Sequence, residues 1–291
     1  MIRFSHSVFA LPFALMATFL ASRAAFRAGD AVHPYPNALQ LGLIVACMVA
    51  ARSAAMTFNR IADAAIDARN PRTATRPIPA GIISRGQAML FLVGTSMLFI
   101  LAGAGFYWLQ RNPWPVILSV PVLGYLCLYS YCKRFTRWSH FVLGSAIAMS
   151  PPAAWLAIHP ATLGVPAMLL MAAVTLWIGG FDIIYACQDI DVDHREGLFS
   201  LPSRLGPAAA LWIARIAHVA TVVLLAMLIP AANLGWIYAA GVAVVAGLLL
   251  FEHALVRADD FRRVNLAFFT VNGVVSLLLG VLTIVDCLVR P

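Results

Sequence analysis

The sequence predicts an all-α polytopic membrane protein with about nine transmembrane helices, set as two pseudo-repeated four-helix halves around a central cavity. Composition is the first reason. Hydrophobic residues make up 62% of the 291 residues and charged residues only 11%, and the mean hydropathy is +0.87. Soluble domains hold roughly 45–50% apolar and roughly 25% charged residues, so a soluble globular enzyme, a disordered chain and a fibrous protein are excluded. The second reason is the length of the apolar runs, which suits bilayer spans of about 20 residues. Continuous runs with short connectors exclude barrel strands, which are short and alternate. The third is an internal recurrence, described below, that relates one half of the chain to the other.

The runs lie at 8–26, 38–58, 87–109, 114–132, 140–158, 163–187, 207–229, 233–254 and 264–288. The first has a basic flank at Arg3 and the outline of a signal peptide, but eight spans follow it, so it reads as a first transmembrane helix. The connectors after the second, fourth, sixth and eighth runs, 59–86, 133–139, 188–206 and 255–263, are charged, and those after the third, fifth and seventh are short and nearly uncharged. The positive charge of Arg3, Arg60 to Arg85, Lys133 to Arg137, Arg195, Arg204, Arg257, Arg262 and Arg263 falls on one side; Arg23, Arg27, Arg111 and Arg290 fall on the other. The positive-inside rule then puts the N-terminus and the charged connectors in the cytoplasm and the C-terminus outside, in the cell's inner (plasma) membrane. The net charge of +8 has the same origin, although an anionic substrate or acidic lipid headgroups fit it too; no nucleic-acid partner is expected. Cys47, Cys127, Cys132, Cys187 and Cys287 are scattered through or beside the apolar runs and read as packing residues.

Asn59, Asp63 and Asp67 close the second run, and Tyr185, Asp189 and Asp193 close the sixth, 126 residues later at all three positions. One transmembrane domain over 1–291 follows, with pseudo-repeats at roughly 8–132 and 140–254 and a ninth helix at 264–288. Membrane folds built by duplication often hold their site between the repeats.

On a helix, Asn59, Asp63 and Asp67 share one face, and Arg52 lies on that face deeper in the membrane. An arginine there is costly and normally faces a polar cavity. Two carboxylates on one face repel unless a cation lies between them. Mg²⁺ is the hard, oxygen-seeking candidate and commonly binds through carboxylates together with phosphate oxygens. Arg72 and Arg76 follow and can meet the remaining phosphate charge. Asp182, Tyr185, Asp189 and Asp193 repeat the arrangement, with Asp182 inside the apolar run. A single Asp-x-x-x-Asp pair usually marks a solvated helix end. Two at equivalent points, with an intramembrane Asp182 and Arg52, point to a two-sided clamp for a metal-bridged diphosphate. A Walker-type loop is missing, and the EF-hand pattern fails because His194 stands where glycine is needed and Ser200 where glutamate is needed.

These motifs resemble those of the UbiA superfamily of intramembrane aromatic prenyltransferases, over essentially the whole chain. The segment Asn59 to Asp67 with Arg72-Thr73 and Arg76-Pro77-Ile78-Pro79-Ala80-Gly81 is similar to its most specific signature. Asp182 to Asp193 is similar to the second motif. Tyr129-Ser130-Tyr131-Cys132-Lys133-Arg134-Phe135-Thr136, followed by Leu143-Gly144 and Pro151, is similar to a third, and Arg3 to the basic residue before the first helix. The chain departs from the pattern at Arg60, where many members have aspartate, at His6-Ser7, which replaces a basic-proline pair, and at Ser139-His140, where 4-hydroxybenzoate enzymes tend to have Pro-Gln. In this it is similar to a branch associated with menaquinone formation.

The resemblance implies Mg²⁺-dependent transfer of a polyprenyl group from a polyprenyl diphosphate to the ring of a small aromatic carboxylate. The expected acceptor is 4-hydroxybenzoate or a related precursor of respiratory quinones such as ubiquinone, with dihydroxynaphthoate of menaquinone synthesis as the alternative. It implies metal ligands at Asn59, Asp63, Asp67, Asp189 and Asp193. Arg72, Arg76, Lys133 and Arg134, with Asn59, become diphosphate contacts. Tyr129 and Tyr185 would stabilise an allylic cation, Arg52 would hold the acceptor carboxylate, and Asp182 would orient or deprotonate the acceptor hydroxyl. Arg52 as a structural partner of Asp182 is the rival reading. A cavity open laterally to the lipid bilayer would admit the apolar tail. An ion-coupled transporter is a distant alternative, disfavoured because the acidic groups cluster at one membrane face.

Overall fold

The computed structural model describes residues 9–291, so Arg3 and His6-Ser7 lie outside the described residues. Among the described residues, eight helical segments are long and apolar enough to cross a bilayer. α1 (Leu11–Arg27) precedes them. The order continues with α2 (Ala38–Ala62), α3 (Ala64–Arg69), α4 (Arg85–Gln110), α5 (Trp114–Cys132), α6 (Ser139–Ala148) and α7 (Ser150–Ile158). Then come α8 (Val165–Ala186), α9 (Ile190–Arg195), α10 (Leu201–Leu205), α11 (Pro207–Ala231), α12 (Trp236–Leu255) and α13 (Asn272–Val289). This is the all-α polytopic architecture expected from the apolar runs.

Local chemistry sets the helix starts. Asn37 with Gln40 opens α2 and Ser84 with Gln87 opens α4, each as a reciprocal capping box that satisfies first-turn amides. The expected span 140–158 is two helices, because Pro151 and Pro152 lack the amide hydrogens that would continue α6. The clamp helices also break. α2 gives way at Asp63 (φ −96°, ψ 3°) to the short α3. α8 gives way through a 3₁₀ turn, Cys187–Asp189, with Asp189 at φ −108°, ψ 8°, to α9. The two positions related by the sequence recurrence therefore carry the same bridge-region backbone. The i→i−4 bonds Asp63 N–H to Asn59 O (2.9 Å) and Asp67 N–H to Asp63 O (2.8 Å) keep the three side chains of the first motif on one side.

Burying apolar side chains gives little association energy in lipid, so close packing and polar links hold such bundles together. Gly144 lets α6 lie directly on α8: a Cβ there would stand 2.3 Å from the Thr175 carbonyl oxygen. An aromatic cluster of Phe9, Phe13, Trp177, Phe181 and Phe268 joins α1, α8 and the π-turn Leu266–Val271, with Trp177 edge-on to Phe181 at 5.0 Å. Behind it, Asn272 accepts from Trp177 Nε1 (2.8 Å) and donates to Glu252 (2.7 Å). His218 donates from Nε2 to the Trp177 carbonyl and accepts at Nδ1 from His253, which makes both histidines hydrogen-bonded packing residues. Arg23, counted as a connector charge, is buried instead. It donates to Ala232 O (2.8 Å) and lies 4.0 Å from Asp286, whose carboxylate accepts from the Gly235 amide, closing the bundle at the end away from Phe9 and Phe268.

Candidate active site

A cavity of about 300 Å³ opens where α2, α5, α6 and α8 end. Every candidate catalytic, metal, diphosphate or acceptor residue read from the sequence lines it except Arg134. Asn59, Asp63 and Asp67 come from the α2–α3 junction, Arg72 and Arg76 from the loop that follows, Tyr129 from α5 and Lys133 from its C-cap, Asp182 and Tyr185 from α8, Asp189 from the 3₁₀ turn and Asp193 from α9. Arg52 lies at the deeper, apolar end.

Each clamp carboxylate is held by neighbours. Asp63, 3% exposed, meets Lys133 Nζ at 2.9 Å and Arg134 Nη2 at 3.3 Å, and accepts from Asn59 Nδ2 at 3.1 Å. Arg134 also donates to Ala62 O (2.7 Å), so it props the α2 break from outside the cavity. Arg76 Nη1 straddles both oxygens of Asp67 at 2.6 and 2.7 Å, with Arg60 at 3.9 Å. Across the cavity, Arg72 forks onto Asp189 through Nε (3.0 Å) and Nη2 (2.5 Å), donates to Tyr185 Oη (2.8 Å), and lies 5.2 Å from the centre of that ring. Asp193 accepts from Ser200 Oγ at 2.6 Å. The lining thus balances five cations, Arg52, Arg60, Arg72, Arg76 and Lys133, against five carboxylates, Asp63, Asp67, Asp182, Asp189 and Asp193. Below the site, Arg69 forks onto Glu196 and clasps the two motif loops together. That hydrogen bond holds the Glu196 carboxyl below its ordinary value of 4.5. The clasp is therefore complete above that value and weakens as pH falls through the lowered one.

Arg52 does not pair with Asp182, so the rival structural reading is not what the structure shows. Its Nε is buried with no hydrogen-bond partner among the described residues. Asp182 instead meets His140 Nδ1 at 2.7 Å. Arg52, Tyr129, Leu143 and Ile147 also border a second cavity of about 90 Å³. That one shares Met48, Phe99, Val122 and Met149 with a third cavity of about 330 Å³, whose walls are almost wholly apolar.

The model of the UbiA prenyltransferase family matches residues 10–274. The chain belongs to that family. A 4-hydroxybenzoate octaprenyltransferase of Citrobacter koseri is 30% identical over 240 residues, covering 82% of this chain and 80% of that one. The apo structure of a UbiA homologue from Aeropyrum pernix K1 superposes with a TM-score of 0.85 at 31% identity, covering 98% of this chain and 99% of the other. A UbiA homologue from Archaeoglobus fulgidus, solved bound to DMAPP and Mg²⁺, shares the fold at 18% identity with a TM-score of 0.68, over 97% of this chain and 99% of that one. This UbiA-family member is a multi-pass membrane prenyltransferase. The cavity also brings in residues that sequence reasoning passed over. Asn70 donates to Asp189 (3.4 Å) and accepts from the Arg72 amide, Ser200 holds Asp193, and Phe268 packs its ring 4.3 Å from Tyr185. Asn70 stands inside the first motif and was readable there; Ser200 and Phe268 carry no local signal.

Proposed function

We propose that the enzyme transfers a polyprenyl group from a polyprenyl diphosphate to the ring of an aromatic carboxylate, with 4-hydroxybenzoate as the acceptor. The observation that carries this reading is the cavity itself: two carboxylate pairs, Asp63/Asp67 and Asp189/Asp193, share it with five cations, one of them Arg52 at its apolar end. Mg²⁺ fits the donor set, because Asn59, Asp63, Asp67, Asp189 and Asp193 offer only side-chain oxygen as acceptors, the hard chemistry Mg²⁺ takes. Bound there, Mg²⁺ would supply charge neutralisation to the departing diphosphate. The side chains that now hold these carboxylates, Arg72, Arg76 and Lys133, are the ones placed to turn to phosphate oxygens, with Arg134 behind Asp63. Their preorganisation favours the charge that develops as the carbon–oxygen bond breaks. The electron pair leaves with the diphosphate, the allylic carbon bonds to the ring, and a ring proton is released.

Tyr185 and Tyr129 present rings to the cavity where an allylic cation would form, an interaction worth about 2 kcal/mol when water is excluded. The apolar chambers reached past Arg52 and Tyr129 have the character a long isoprenoid tail requires. Arg52, with an unpartnered buried Nε, is our choice for the acceptor carboxylate, and Asp182 for its hydroxyl. Asp63 and Asp189 break their helices with matched backbone angles, which supports descent of 8–132 and 140–254 from one duplicated unit. The charged connectors belong on the cytoplasmic side of the inner membrane, where the diphosphate headgroup meets water.

A dihydroxynaphthoate acceptor is the second reading. It rests on Ser139 and His140, the departure from Pro-Gln, which both face the cavity. The test offers 4-hydroxybenzoate and 1,4-dihydroxy-6-naphthoate in competition to membranes holding the protein, with geranyl diphosphate and Mg²⁺, and identifies products by mass. A prenylated benzoate, lost in Asp63→Asn and Asp189→Asn, supports the first reading. A prenylated naphthoate moves the enzyme to menaquinone synthesis. Neither product, with the diphosphate intact, overturns both.

A further inference from the structure

His140 is buried, 4% exposed, in the wall of the cavity. Its two ring nitrogens have different partners. The Leu201 backbone N–H lies 3.3 Å from Nε2, and Nδ1 lies 2.7 Å from Asp182 Oδ2. A backbone amide can only donate, so Nε2 is the acceptor and the neutral ring carries its hydrogen on Nδ1. His140 therefore donates to Asp182. The other oxygen, Oδ1, accepts no hydrogen bond among the described residues, and the carboxylate lines the cavity.

The surroundings hold this geometry from three sides. The close α6–α8 approach at Gly144 brings His140 alongside Asp182. The Leu201 side chain is fully buried against Ile183, Ile184 and Leu211, which fixes its amide. The turn carrying it is bounded by Gly197 (φ +64°) and Gly206 (φ +79°), backbone that favours glycine. One residue earlier, Ser200 donates to Asp193, and Phe199 N–H donates to Lys133 O at 2.7 Å. The 198–205 segment thus reaches the clamp and the acceptor end together.

We propose that His140 is the positioning residue for Asp182: it locks one carboxylate oxygen and turns the other toward the hydroxyl of the aromatic acceptor. This rests on the acceptor role given to Asp182 above. His140 acts through Asp182, because both of its ring nitrogens are engaged, by Asp182 and by the Leu201 amide. Its effect falls on arene binding and on capture of the allylic group by the ring, not on prenyl diphosphate binding.

The test uses the purified full chain in detergent with Mg²⁺, geranyl diphosphate and 4-hydroxybenzoate. His140→Leu removes both hydrogen bonds. It should raise KM for the arene about tenfold, the cost of one hydrogen bond to a charged group, and leave KM for geranyl diphosphate within about twofold. The fraction of released diphosphate matched by geraniol, from capture by water, should rise. His140→Gln, whose amide has one donor and one acceptor like the neutral ring, should restore most of both. If the leucine variant does not fold, His140→Ala replaces it without added bulk. Equal shifts in both KM values, no change in the arene KM, or no rescue by glutamine overturns the inference. Asp182→Asn runs alongside. If it leaves the arene KM unchanged, the reading of Asp182 fails; if it raises that KM while His140→Leu does not, only the role of His140 fails.

Discussion

At the scale of single residues, the site is a set of charges that hold one another in place. Asp63 and Asp67 are nearly sealed from solvent, and Lys133, Arg134, Arg76 and Arg60 surround them. Removing one carboxylate leaves cations without a counter-charge and, on the proposed function, removes a group that would hold Mg²⁺. Asp63→Asn and Asp189→Asn should each lower kcat about a hundredfold or more, read as geranyl transfer in membranes containing equal amounts of folded protein. Arg52→Ala should act differently. It should raise KM for the aromatic carboxylate by about ten- to a hundredfold with little change in KM for geranyl diphosphate. A shift in the diphosphate KM alone would move Arg52 to the other substrate.

At the scale of elements, the decisive contact is α6 on α8. Gly144 and Gly179 allow it, with a Cβ at Gly179 standing 2.5 Å from the Phe141 ring. Gly144→Ala should push the helices apart. Overpacking of this kind costs typically about 1–3 kcal/mol, which thermal unfolding in detergent would show as a lowered midpoint. The arene KM should rise in the same variant, because His140 and Asp182 sit on the two separated helices. The broken ends of α2 and α8 act at this scale too. Past the breaks, Asp67 on α3 and Asp193 on α9 still line the cavity.

At the scale of the molecule, the cavity draws on both halves of the chain, so a ligand bound in it ties them together. Geranyl diphosphate with Mg²⁺ should raise the unfolding midpoint, by the equivalent of about 2.7 kcal/mol at a hundredfold excess over Kd. EDTA should abolish both that shift and turnover, and added Mg²⁺ should restore them. Geranyl diphosphate giving the same shift with EDTA present would argue that the cations alone hold the diphosphate.

The bundle and much of the site were legible in the sequence because they are local. Apolar runs answer to bilayer thickness, and Asp63, Asp67, Asp189 and Asp193 answer to a four-residue spacing that puts charges on one helix face. The proline break at Pro151 is written in the sequence, but an apolar run reads straight across it. Other features depend on contacts between residues far apart in the chain. Arg23 looked like a connector charge until Asp286, Ala232 and Arg290 closed around it. Which basic residue meets which carboxylate depends on how the 70–80 loop folds across the cavity. The partner of Asp182 proved to be His140 and not Arg52, since that choice rests on a glycine-mediated helix approach and on a buried leucine amide 61 residues further along. Sequence alone determined which elements form and which charges they carry, because helix periodicity and the cost of burying charge in lipid act over a few residues. Tertiary structure alone decided how those charges pair and where the apolar chambers run, because both follow from the packing of helices distant in the chain.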